Sequence, residues 1–349
     1  MNPLRRAVDL LAELSVVGSY STIGYRLRAP TFTALDVDLS GRTVAITGAS
    51  SGIGEAAARI LAERRATVLL LVRDAARGEA VARSLPPPGG GDHLVVPVDL
   101  SDLEEVRRAA AQVRERVSRL HALVNNAGVL LDRLERTPQG LERAFATNVV
   151  GGFLLSHLLL DALAAAGRPG DPARLVHVSS GGMYTQRLDL ALLQGNVARY
   201  EGVVAYAQHK RAQVILNRLW VEHLRGLPVE TYAMHPGWAR TKGVATSLPR
   251  FDRVMRPILR DPAEGADTVA WLAASPEPVG LSGRFFLDRR PRAEHVLPWT
   301  RETPEEARAL WDLCLRLAGL DGFRPPAQAA ARSASQGSTT PRKRPGASS

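Results

Sequence analysis

A single cysteine, Cys314, in 349 residues excludes an intrachain disulfide framework and fits a reducing compartment. Lysine is nearly as scarce: 42 of the 45 basic residues are arginine, and only Lys210, Lys242 and Lys343 are not. No apolar run reaches the ~18 residues of a membrane span. The greasiest stretch, 153–166, carries His157 and Asp161. Arg5 and Arg6 precede an apolar patch that Asp9 and Glu13 interrupt, which argues against a secretory signal. A cytoplasmic location is expected on these grounds. What is present is ordinary for a globular chain, 45% hydrophobic and 23% charged, and long enough to bury a sizeable core.

The formal charge of +10 loses its suggestion of a nucleic-acid partner once it is located. Residues 326–349 hold Arg332, Arg342, Lys343 and Arg344 with no acid, and residues 1–30 hold four arginines against Asp9 and Glu13. The body between has no basic run interleaved with aromatics, so no nucleic-acid partner is expected.

From Arg42 onward, short apolar segments alternate with amphipathic ones. Strands are expected at 43–47, 67–72, 94–98, 121–125, 174–179, 229–235 and 283–288. Helices are expected at 52–65, 75–84, 102–118, 141–166, 203–225 and 262–274. Continuous apolar strands separated by helices predict a parallel sheet covered on both faces. The fold class is therefore α/β, a single doubly wound Rossmann-type sheet of about seven strands in three α/β/α layers. Its expected span is 40–322. Residues 1–39 form an appendage with a helix near 4–17 and a loose Gly/Ser/Tyr segment after it, and 323–349 a disordered basic tail.

Thr47-Gly-Ala-Ser-Ser-Gly-Ile-Gly54 leaves the first strand and opens a helix. Gly48 permits the tight turn, Gly52 lets backbone approach a pyrophosphate, and Gly54 permits close helix–sheet packing. Free N–H groups at the helix start favour the anion. A carboxylate ending the second strand would bind the ribose diol of NAD and repel the 2′-phosphate of NADP. That position is Val72, with Arg73 beside it, so NADP(H) is expected over NAD(H), which remains a second candidate. Asp74 lies close enough to compete with that reading. Asp99, ending the third strand, is a candidate for the adenine amino group or for a helix cap. Asn125-Asn126-Ala127-Gly128 ends the fourth strand as a polar clamp or a turn. Asn148 sits inside an apolar helical stretch, where an unsatisfied amide is costly.

Tyr206-Ala-Gln-His-Lys210 puts a phenol and an ammonium on one helix face, at i and i+4. A free phenol with a pKa of roughly 10 is a poor acid–base group near neutrality, and a nearby cation is expected to lower it. In a chain that otherwise uses arginine, lysine here calls for a reason: a compact ammonium can also donate to a ribose hydroxyl. Ser179 and Ser180 end the preceding strand, and either could face the phenol, with Ser180 preferred.

Thr47–Gly54, the 125–128 Asn-Asn-Ala-Gly run, Asn148, Ser180 and Tyr-x-x-x-Lys together resemble the short-chain dehydrogenase/reductase family over roughly residues 40–290. The resemblance implies that Ser180 polarises the substrate oxygen, Tyr206 is the acid–base, Lys210 binds ribose, and Asn148 holds a proton-relay water. His235-Pro-Gly-Trp-Ala-Arg-Thr241 resembles the family's stretch at the nicotinamide end. Cofactor contacts are expected from Gly48, Ser50, Ser51, Gly52, Ile53, Gly54, Arg73, Asp99, Leu100, Asn126, Ala127, Gly128, Tyr206, Lys210, Pro236, Gly237 and Thr241, with no metal. One departure stands out: Tyr206 lies 26 residues beyond Ser180, so the intervening segment must loop out for them to meet.

The expected function is hydride transfer between NADP(H) and a small-molecule carbonyl or secondary alcohol. The alternatives are a cofactor-binding sensor without turnover and a sugar-nucleotide epimerase. Apolar residues between Val244 and Leu259 suggest an apolar substrate, or equally packing or a dimer contact, and a homo-oligomer is compatible with the sequence. Residues 1–30 could lie on an anionic membrane as a basic amphipathic segment, with packing against the domain's own flank favoured.

Overall fold

The computed structural model describes residues 16–240 and 253–321. Most of the helix expected near 4–17, the Thr241 contact and the 323–349 tail lie outside them. Eight strands form one sheet: β1 Thr43–Thr47, β2 Thr67–Val72, β3 Leu94–Pro97, β4 Ala122–Asn125, β5 Ala173–Val178, β6 Val229–Met234, β7 Phe285–Leu287 and β8 Arg290–Arg292. Their order is β3-β2-β1-β4-β5-β6-β7-β8, with β1 to β7 parallel. Val, Leu and Ile fill the central strands, which are buried on both faces as a doubly covered parallel sheet requires.

β8, not anticipated from the sequence, pairs antiparallel with β7. Asp288 and Arg289 make the reversal at φ +53° and +57°, where an aspartate is tolerated better than most residues. Pro291 cannot donate to a ladder, which suits β8 to the sheet edge.

The described helices, in chain order, are α1 Val16–Tyr20, α2 Thr22–Arg28, α3 Gly52–Ala62, α4 Ala75–Ser84, α5 Leu103–Arg116, α6 Arg143–Phe145, α7 Gly151–Leu158, α8 Leu160–Ala166, α9 Leu190–Leu193, α10 Gly202–His223, α11 Pro262–Ala274 and α12 Pro304–Leu317. One core lies under α3, α4 and α11, around Leu61, Leu70 and Val269. The other lies under α5, α7, α8, α10 and α12, around Val106, Leu154, Ile215 and Leu310.

The single helix expected over 141–166 is broken twice. A π-helical turn, Ala146–Val150, separates α6 from α7. Leu159 then leaves helical geometry (φ −103°, ψ 6°), and the axis bends by 56°. No single helix among the described residues is long and apolar enough to cross a membrane.

The segment expected to be loose after residue 17 is instead helical and fastened to the sheet's far end. Arg28, fully buried, pairs with Asp288 at 2.8 Å, and Arg260 pairs with the same carboxylate at 2.6 Å. Thr22 donates to Glu264, and the exposed Arg26 pairs with it at 2.9 Å.

Candidate active site

The carboxyl ends of the strands bound a cleft of about 310 Å³ at the point where the strand order reverses, between β1 and β4. Gly48, Ser50, Ser51, Gly52 and Ile53 line one side, after β1. Gly48 (φ +68°) and Gly52 (φ +58°) adopt left-handed conformations that disfavour side chains. A Cβ on Gly54 would lie 2.5 Å from both Asn126 Nδ2 and Gly48 O, so α3 reaches this close only with glycine there. Ser51, the residue before α3, makes no side-chain cap, which leaves first-turn N–H groups to an anion. A dinucleotide fits this set of donors.

Arg73, exposed at the end of β2, lines the cleft and forms no hydrogen bond or ion pair among the described residues. Its neighbour Asp74 is committed elsewhere, accepting from Arg77 N at 3.0 Å as the cap of α4. Asp99 does not cap α5, since Asp102 does. Asp99 Oδ1 instead accepts from Ser101 N and Oγ, and Asp99 and Leu100 both face the cleft.

Of the asparagine pair only Asn126 acts as a clamp, and it ties strand to strand. Asn126 Nδ2 donates to Thr47 O at 2.8 Å, and Thr47 Oγ1 accepts from Asn126 N and Ala127 N, both at 2.9 Å. Asn125 points away, donating to Ser156. Asn148 lies in the π-helical turn, a feature common at functional sites. Its side chain bonds both backbone groups of Val129, accepting from N at 2.7 Å and donating to O at 2.8 Å. A Cβ on Gly128 would lie 3.4 Å from both Asn148 Oδ1 and Lys210 Nζ, so the two groups flank one space.

The segment between Ser180 and Tyr206 does loop out, through a 3₁₀ turn and α9, and Gln208 holds it by accepting from Asp189 N at 3.0 Å. This brings Ser180 beside the Tyr206 phenol, whose pKa the serine hydroxyl lowers. Ser179, by contrast, is buried and donates to Lys210 O at 2.8 Å. Lys210 Nζ stands 5.4 Å from the centre of the Tyr206 ring and donates to Val178 O at 2.8 Å.

The electrostatics differ from the expectation. Burial pushes the Tyr206 phenol up to about 12, and the neighbouring Ser180 hydroxyl offsets only part of that. Burial also pushes Lys210 down to about 7. Desolvation of each group outweighs the help the ammonium was expected to give the phenol.

Pro236 lines the cleft, and Gly237 turns at φ +74° just beyond β6. Some participants were not foreseen. Thr147, Val129 and Val178 line the cleft as ordinary residues that no motif marks. His209, inside the Tyr-x-x-x-Lys motif, is fully buried, 3.2 Å from both Asn148 Nδ2 and Glu142 Oε2. Its position next to Lys210 was the available signal.

The family model for short chain dehydrogenases matches residues 42–249. The chain is 37% identical over 305 residues to dehydrogenase/reductase SDR family member 12 of Homo sapiens, covering 86% of this chain and 94% of that protein. It is 36% identical to retinol dehydrogenase 12 of Bos taurus (82% and 89% covered) and 35% identical to polyprenol dehydrogenase of Mus musculus (92% and 98%). A solved structure of an uncharacterised protein from Mycobacterium paratuberculosis is 31% identical, with a TM-score of 0.66, covering 84% of this chain and 99% of that one. These relatives overturn the expected cytoplasmic location. Two of them are named for retinol and polyprenol, lipid alcohols that dissolve in bilayers rather than in cytosol. A match of this extent, on a sheet of this order, makes the chain a member of the short-chain dehydrogenase/reductase family of NAD(P)-dependent oxidoreductases.

Proposed function

We propose that the protein interconverts an apolar carbonyl compound and its secondary or primary alcohol, using NADP(H), at a Ser180–Tyr206–Lys210–Asn148 site. The observation that carries the reading is that Tyr206 and Lys210, one helical turn apart, line the same cleft as the glycine turn after β1. A sensor without turnover has no use for a phenol and an ammonium set together there.

In the reducing direction a bound nicotinamide would supply a hydride to the carbonyl carbon. Ser180 holds the carbonyl oxygen, and Tyr206, a neutral phenol near pH 7, gives that oxygen its proton. Ser179 is spent on the backbone of α10, which favours Ser180 for this role. Lys210 would donate to the ribose hydroxyls and steady the phenolate left behind. Asn148 fixes the Gly128–Val129 backbone against which that exchange occurs. The lone charge of Arg73, with Asp74 engaged in a cap, favours a 2′-phosphate. Retinol and polyprenol, for which relatives are named, support a lipid-like substrate.

Turnover of retinal, decanal and small ketones with NADPH and with NADH tests the assignment in wild type and Tyr206→Phe. Turnover should fall about 10²–10⁴-fold in the variant while NADPH affinity stays unchanged, since only the phenolic proton is lost. Near-normal turnover in Tyr206→Phe would reject Tyr206 as the proton donor.

A further inference from the structure

The residues N-terminal to the matched family region reach the catalytic edge of the sheet. The junction of α1 and α2, around Ser19–Ser21, lies against the residues that follow β5 and β6. Its backbone is held at three successive carbonyls. Ser19 O accepts from Arg28 Nη1 at 3.0 Å and Arg260 Nη2 at 3.1 Å. Tyr20 O accepts from Trp238 N at 2.8 Å, and Ser21 O from Arg260 Nε at 3.2 Å.

The Tyr20 ring reaches the residues just beyond β6. It meets His235 edge-on, 4.7 Å between ring centres at 86°, and Trp238 at 6.0 Å. A Cβ on Gly181 would stand 3.5 Å from Tyr20 Cε2, so the ring lies against the residue that follows Ser180. The loop after β6 is fitted to the same segment: a Cβ on Gly237 would fall 2.6 Å from Tyr20 O and 2.4 Å from Arg260 Nε.

We propose that Tyr20 is a specificity-determining residue, forming the substrate-side wall of the active site beside Ser180 and limiting the bulk of the apolar alcohol or carbonyl compound accepted. This inference rests on the oxidoreductase reading given above. The buried Arg28–Asp288–Arg260 cluster supplies the positioning. Two guanidiniums on one carboxylate are a poor source of stability, because desolvation offsets the attraction. Such a cluster does fix geometry, and here it fixes the carbonyls on both sides of Tyr20. The wall is aromatic: His235 is kept neutral by burial and by the neighbouring arginines, which push it down to about 3. An extended apolar chain suits that surface better than a charged or sugar-like one.

The test compares wild type, Tyr20→Ala and Tyr20→Phe. Retinol affinity is read by its own fluorescence in the absence of nucleotide, and kcat/KM is measured for decanal and butanal with NADPH. Tyr20→Ala should change retinol affinity and the decanal-to-butanal ratio by about tenfold or more. Tyr20→Phe should keep both, and NADPH affinity should be constant throughout. A purely structural role would lower activity on both aldehydes together and leave their ratio unmoved. An unchanged ratio with unchanged retinol affinity in Tyr20→Ala overturns the inference. If wild type reduces no carbonyl compound, the oxidoreductase reading fails, and the retinol titration alone then decides: a shift in Tyr20→Ala upholds the wall, while no shift, or no binding by wild type, removes it.

Discussion

Arg73 concentrates the cofactor question in one side chain. It is exposed at the end of β2, faces the cleft and is spared the cap that occupies Asp74. A charge-assisted bond to a phosphate contributes about 1.5–3 kcal/mol. Arg73→Ala should therefore weaken NADPH binding by about ten- to a hundredfold and leave NADH binding nearly unchanged, as titration of both nucleotides would read. Equal wild-type affinities for the two nucleotides would contradict the assignment. The same scale also brings a correction about Tyr206 and Lys210. The spacing of the two residues was legible, but their proton affinities were not. Burial raises the phenol and lowers the amine, and burial depends on everything packed around α10 rather than on the motif.

Among the elements, the turn from β1 into α3 has the least freedom. Gly54→Ala would drive a methyl to 2.5 Å from Asn126 Nδ2 and from the backbone oxygen of Gly48. Overpacking of this kind costs about 1–3 kcal/mol. It should also dislodge the Asn126 clamp on Thr47, so a lower melting temperature and weaker NADPH binding are expected together. Loss of neither would show that the turn can shift at no cost. The parallel strands and this turn could be read in advance because apolar runs and glycine spacing are local signals. The two breaks in the 141–166 helix could not. The π-helical turn brings Asn148 to Val129, a partner 19 residues away that no periodicity reveals. β8 escaped notice because an Arg-Pro-Arg stretch has no strand pattern and forms only against β7. α12 does carry a local signal, the Thr303–Pro304 start and the Thr303/Glu306 capping box.

At the scale of the whole molecule, several imidazoles are sealed in uncharged. Desolvation pushes His157 down to about 4 and His177 and His235 to about 3. Unfolded, each would bind a proton near pH 6.5. The unfolded chain thus holds more protons than the native one below that pH, and stability falls as pH drops from about 6.5 towards 3–4, by up to about 1.4 kcal/mol per pH unit for each histidine. Urea midpoints at pH 7.5, 6 and 5 should decline steeply below 6.5, whereas a flat profile would mean these rings reach water. The Arg28–Asp288 pair has a consequence in time as well as in space. Its partners are 260 residues apart. At synthesis rates of about 5–20 residues per second, Arg28 leaves the ribosome roughly 13–50 s before Asp288 follows. The sheet edge that carries Tyr20 therefore cannot settle until Asp288 has been made, and a nascent chain already holding the complete glycine turn and Tyr206 still has that edge unfinished.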